Sequence, residues 1–133
     1  MIVLDTHVLL WLDKHDPSLG SKAIAIAADA LAAVALATSA IAFWEIALLL
    51  RKQRLQLKLP VTRWRRDFLD QGVVELPVTG AIGIAAVGLE NFHADPADRL
   101  MVATVQELGA TLLTADEEIL AWLRRLDRRD ARV

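Results

Sequence analysis

Residues 1–12 read MIVLDTHVLLWL and residues 111–119 read TLLTADEEI. Each opens with a short apolar run that ends near a carboxylate, Asp5 in the first and Asp116 in the second. Short apolar runs bounded by polar residues and alternating with helical periodicity are the pattern of buried strands in an α/β domain with a parallel sheet. Working outward, Met1–Leu4 and Thr111–Thr114 are predicted strands, joined by Ala35–Thr38 and Val73–Leu76. Helices are predicted over His7–Leu12, Ser21–Leu31, Ser39 or Ala40 to Lys52, and Val61–Asp70 behind Pro60. Thr79 caps a helix ending near Gly88, Asp95 caps one from Pro96 to Leu108, and a last helix is predicted over Glu117–Leu126. No internal repeat or linker divides residues 1–133, so a single domain is expected.

The 133 residues carry a formal charge of −2, and hydrophobic residues make up 55% of them, which argues against disorder. Alanine and leucine supply 45 positions, which favours helix. There is no cysteine, which excludes disulfides, thiolate metal sites and thiol nucleophiles. The first residues lack a basic segment and are interrupted by Asp5, a poor match to a secretion signal. The longest uncharged run, Ala30–Trp44, has 15 residues, too few to span a bilayer. A soluble, cytoplasmic protein with no membrane partner is expected.

Four acids stand where a solvated surface explains them poorly. Asp5 follows the first strand, and in a parallel sheet the carboxyl ends of strands line the ligand crevice; its bland role is a helix cap. Glu45 is the only charged residue between Ala40 and Leu50 and shares a helix face with Ile41, Leu48 and Leu49. Its bland role is a buried ion pair with Arg99. Asp98 follows the cap-and-proline pair Asp95-Pro96, so the cap is already supplied; it could merely favour the helix dipole. Asp116 follows the strand Thr111–Thr114; Thr114 and Glu117 read as a capping box, which leaves Asp116 free. If these four converge, their mutual repulsion calls for a hard cation, Mg²⁺ or Mn²⁺, and such a centre activates water and stabilises charge on a phosphodiester.

The stretches MIVLDTHVLLW, TSAIAFWEIALLLRKQRLQL, FHADPADRLMVATV and TLLTADEEI, in this order and spacing, resemble the motifs of the PIN domain, most closely those of VapC-type toxins of bacterial toxin–antitoxin modules. The resemblance covers nearly the whole chain. It implies a twisted parallel sheet of about four to five strands flanked by helices. It implies a metal-dependent endoribonuclease with Asp5, Glu45, Asp98 and Asp116 around Mg²⁺ or Mn²⁺. It further implies a cognate antitoxin in the active-site groove, a homodimer, and possible higher toxin–antitoxin assembly. Thr6 and Ser39 match small hydroxyl positions near the site, Thr114 a residue that places the fourth acid, and Asp95 and Arg99 the DPxDR pattern. Ala97 stands where many relatives carry a bulkier residue. Two other readings are a PIN-like module that binds RNA or protein without cutting, and a haloacid dehalogenase-like phosphatase. The latter wants a second Asp two residues after the first, where His7 stands.

Seven of the 15 basic residues lie between positions 51 and 66 with no acid among them: Arg51, Lys52, Arg54, Lys58, Arg63, Arg65 and Arg66. Beside an acidic metal site this run is expected to be a phosphate-binding rim; its bland role is a solvated face. Trp11, Trp44 and Trp122 read as core residues, while Trp64, among arginines, is a candidate for stacking on a base or an antitoxin side chain, or for covering an apolar patch. The histidines 7, 15 and 93 lack zinc-site spacing and read as structural or supporting residues. Arg124–Arg132 reads as a solvated helix end.

Overall fold

A computed structural model describes residues 1–133. The elements are β1 (Ile2–Leu4), α1 (Thr6–Lys14), α2 (Ser21–Ala32), β2 (Leu36–Ser39), α3 (Ala40–Arg51) and α4 (Val61–Asp70). They continue with β3 (Val74–Leu76), α5 (Gly80–Val87), α6 (Pro96–Leu108), β4 (Thr111–Thr114), α7 (Glu117–Ala121) and β5 (Arg128–Asp130). The strands form one sheet in the order β3-β2-β1-β4-β5, and every pair is parallel.

This order decides where a site can form. From β1 the chain builds outward through β2 to β3, then crosses back to add β4 and β5 on the other side. The connections diverge between β1 and β4, and the carboxyl ends of the strands at such a point are where a parallel sheet places a ligand site. Asp5 and Thr114 stand at that point. Asp5 N–H donates to Leu113 O at 3.1 Å and extends the β1–β4 ladder by one bond past β1.

The two faces of the sheet bury separate cores, because alternate strand residues point opposite ways. Leu4 and Leu113 pack with Val8, Leu9, Phe43, Ile46, Trp64 and Phe68. Val3 and Leu112 pack on the other face with Met101, Val102, Val105, Ile119 and Trp122. Gly20 is required by close approach: a Cβ there would lie 2.1 Å from the Val133 backbone. That segment accepts N–H donors from Lys22 and Ala23 in the first turn of α2, which has no side-chain cap.

Four sequence expectations are corrected. The last helix ends at Ala121, not Leu126. Trp122 turns to an extended conformation, buries its ring and donates Nε1–H to Glu90 O at 2.9 Å. The arginine-rich end then returns as β5, with Arg128 donating to Trp122 O, rather than as a solvated helix end. The tryptophans trade places. Trp64 is 4% exposed, edge-on to Phe43 and Phe68, whereas Trp44 is 55% exposed. Trp64 therefore covers an apolar patch and cannot stack on a base. Finally, Asp116 is itself the cap of α7, accepting from Ile119 N–H at 3.0 Å, while Glu117 pairs with Arg132 at 2.6 Å. There is no Thr114–Glu117 capping box.

No helix is long and apolar enough to cross a membrane.

Candidate metal centre

Asp5 is held rigidly at the end of β1. It is 3% exposed; its Oδ1 accepts the Thr6 N–H at 2.8 Å and its Oδ2 accepts the Thr114 hydroxyl at 2.7 Å. It does cap α1. Thr114 Oγ1 in turn accepts Asp116 N–H at 3.0 Å, so one hydroxyl ties the first acid to the loop that carries the fourth. His7 braces the same loop. Its Nε2 accepts Ala115 N–H at 2.9 Å, which leaves the ring proton on Nδ1, 3.8 Å from Asp5 Oδ2.

Glu45 comes from the middle of α3 and accepts the Thr6 hydroxyl at 2.5 Å. Burial raises its pKa, and Asp5 and Asp95 add to the rise against the opposing Thr6 bond. The expected ion pair with Arg99 does not form. Arg99 donates instead to the carbonyls of His93, Ala86, Leu89 and Phe92, at 2.9, 2.9, 3.3 and 2.7 Å. This single guanidinium fastens the segment from the end of α5 to the start of α6. Asp95 caps α6 by accepting Asp98 N–H at 3.1 Å. Ser39 caps α3 by accepting Ile41 N–H at 3.2 Å, so its hydroxyl serves the helix rather than an acid. Ala97 is buried at the start of α6.

Asp98 shows that the four acids share one electrostatic site. Burial, followed by repulsion from Asp5, Asp95, Asp116 and Glu45, pushes its pKa to about 8. Asp5, Glu45 and Asp116 are thus near enough to Asp98 to act on its charge, but Asp5 and Glu45 lie outside the tight group that Asp98 forms with Asp116. His93 joins them: ligand atoms of His93, Asp98 and Asp116 all lie within 4.8 Å of one another. Its Nε2 is 3.2 Å from Asp98 Oδ2, yet it is buried without a hydrogen bond because the angle is wrong. Hard oxygen donors in excess, together with this unpartnered nitrogen, fit a divalent cation. The sequence sets His93 in a His-x-Asp pair with Asp95, a spacing that also suits a structural role; what distinguishes it is its place just before the Asp95-Pro96 helix start.

The basic run is only partly free. Arg65 forms a two-bond pair with Glu75 at 2.6 and 2.8 Å, and Arg63 pairs with Asp67 at 3.2 Å. Both acids lie outside the 51–66 window but meet it in space. Arg51, Lys52, Arg54, Lys58 and Arg66 are exposed. Arg51 closes the helix that carries Glu45, six residues further on and about 9 Å along the axis.

The sequence matches the family described as PIN domain over residues 2–128. It is 36% identical over 119 residues to Ribonuclease VapC22 of Mycobacterium tuberculosis (strain ATCC 25618 / H37Rv), covering 89% of this chain and 88% of that protein. Among solved structures, VapBC2 from Rickettsia felis, bound to a DNA fragment from its promoter, matches with a TM-score of 0.67 at 16% identity. That match covers 97% of this chain and 98% of the other. A toxin–antitoxin complex from Klebsiella pneumoniae matches with a TM-score of 0.61 at 19% identity over 92% of each chain. These two share the fold. The family match over nearly the whole length and the identity to a VapC protein place the chain in the PIN-domain family, among its VapC-type members.

Proposed function

We propose that this chain is a divalent-metal-dependent endoribonuclease and the toxin of a toxin–antitoxin pair. One observation carries the reading. Asp98 and Asp116 lie with His93 within 4.8 Å of one another, and burial, with repulsion from Asp5, Asp95, Asp116 and Glu45, raises the Asp98 pKa to about 8 where no cation offsets the charge. The relative named ribonuclease and the neighbours solved as toxin–antitoxin complexes support the substrate class and the partner.

Asp5, Asp98 and Asp116 would hold the ion, with Glu45 reaching it directly or through water. A bound Mg²⁺ or Mn²⁺ would supply an acidified water and offset charge on the phosphodiester. The chain's own residues prepare that crevice. Thr114 and the Thr6 N–H fix the Asp5 carboxylate, and the Thr6 hydroxyl fixes Glu45. His7 sets the height of the Asp116 loop, and Arg99 sets the loop before α6. Arg51, Lys52 and Arg54, with Arg63, Arg65 and Arg66 beyond them, would bind RNA phosphates; the free charges of Arg51, Lys52, Arg54 and Arg66 are the ones available for it. A cognate antitoxin, residence in the cytoplasm and a homodimer complete the reading.

The test is cleavage of cellular RNA by purified protein with Mg²⁺ or Mn²⁺ and with EDTA. Asp5→Asn is expected to abolish ion-dependent cleavage while the circular dichroism spectrum is unchanged, since Asn caps a helix as well as Asp. Full activity in that variant would refute the assignment.

A further inference from the structure

His93 is not needed by the carboxylate reading, and its placement is unusual. Its ring packs against Phe92, with centroids 4.5 Å apart. Nδ1 lies 3.3 Å from Glu118 Oε2, a carboxylate that is otherwise exposed. Nε2 points into the acid cluster, shut from solvent and without a hydrogen bond, 3.2 Å from Asp98 Oδ2. Glu118 lies beside Nδ1 without a hydrogen bond; a small rotation of its exposed side chain would align the two and leave the Nε2 lone pair for an ion, the arrangement of carboxylate–histidine–metal triads.

We propose that His93 is a nitrogen ligand of this chain's divalent-ion site, oriented by Glu118, and that it tilts the site from Mg²⁺ towards a first-row transition ion; this rests on the reading of the crevice as a metal centre. Imidazole binds such ions far better than it binds Mg²⁺, which prefers oxygen donors and its own waters. The ion set is then three carboxylates and one imidazole from β1, the α5–α6 loop, α6 and the β4–α7 junction.

The experiment is titration calorimetry of the purified chain with Co²⁺ and with Mg²⁺, together with the visible absorption of the Co²⁺ form. His93→Phe keeps a ring against Phe92 and removes the nitrogen. It is expected to weaken Co²⁺ binding about tenfold or more, to leave Mg²⁺ within about threefold, and to shift the Co²⁺ bands. Glu118→Gln, at an exposed position that the fold does not need, is expected to give a smaller loss with the same ion selectivity. Equal changes for both ions, including tighter binding of both once a positive charge is removed, would overturn the proposal. So would wild-type Co²⁺ affinity and spectrum in both variants. If the wild-type chain binds neither ion, the metal centre itself fails; if it binds both and the variants match it, only the role of His93 fails.

Discussion

Asp98→Asn is expected to make the metal-free protein more stable while destroying ion binding. The carboxyl pKa rises from 3.8 to about 8 in the folded chain, chiefly through burial and the four neighbouring carboxylates. The folded state therefore holds a proton that the unfolded chain releases, and stability falls as pH climbs from about 4 to about 8. Four pH units at about 1.36 kcal/mol each set an upper bound of roughly 6 kcal/mol. The side chain is still 18% exposed, and water and relaxation screen such repulsion, so about 2 kcal/mol is a more realistic cost. Against it stands the favourable placement of Asp98 in the first turn of α6, worth roughly 0.3–1 kcal/mol and lost in Asn.

Repulsion wins by about 1–2 kcal/mol, or roughly 3–8 °C in Tm for a chain of this length. Thermal melts in EDTA at pH 5 and pH 8 measure it. The variant should exceed the wild type clearly at pH 8 and much less at pH 5, where the folded wild type still keeps its proton. Adding Mn²⁺ at pH 8 should raise the wild-type Tm and leave the variant nearly unmoved. An Asp98→Asn protein no more stable than wild type at pH 8 in EDTA would show that the four carboxylates do not share one site.

The same raised pKa predicts that Mn²⁺ binding at pH 7 expels close to one proton, seen as a buffer-dependent calorimetric enthalpy; buffer-independent heats would contradict it. Arg99→Ala strands four carbonyls and is expected to cost about 2–4 kcal/mol by thermal or urea melts, with Arg99→Lys rescuing little because one ammonium cannot span them. Gly20→Ala drives a methyl into the Val133 backbone and should lower stability by about 1–3 kcal/mol, whereas an unchanged Tm would mean the C-terminal segment is not docked on α2. Lys52→Glu with Arg54→Glu should weaken RNA binding and flatten its salt dependence, by about one unit of log–log slope or more; an unchanged slope would make the run a solvated face.

How much of this was legible in the sequence follows from what each element is made of. β1 and β4 announce themselves because both are buried on two faces and read as continuous apolar runs. β5 carries Arg-Arg-Asp and was unreadable: an edge strand can be charged throughout, since its backbone ladder to β4 holds it while Arg129 faces water and Arg128 turns in to Trp122 O. Helical periodicity favoured extending α7, but Trp122 leaves the helix to bury its indole, a tertiary demand that no local pattern encodes. The four acids were found by position, three at element junctions and one on an apolar helix face. Trp44 reads as core beside its apolar neighbours but is 55% exposed, while Trp64 takes the buried place. Neighbouring arginines left covering an apolar patch and stacking both open; a helix turns about 100° per residue, so residue 64 faces the core while 63 and 66 face water.

That Asp5, Glu45, Asp98 and Asp116 were visible while His93 was not also says how the site is built. Each acid is fixed by its own element: a strand end, a helix interior and two helix starts. His93 sits in the segment between α5 and α6, whose course depends on carbonyls gathered by Arg99 from four places. Its position is therefore a property of the folded loop and not of any local pattern. Arg99 takes no part in the acid cluster, but loosening its clamp would release His93 from the crevice before it moved Asp98, whose helix is capped separately by Asp95. Weakening that clamp should accordingly cost Co²⁺ affinity sooner than Mg²⁺ affinity in calorimetry, and equal losses for the two ions would contradict it.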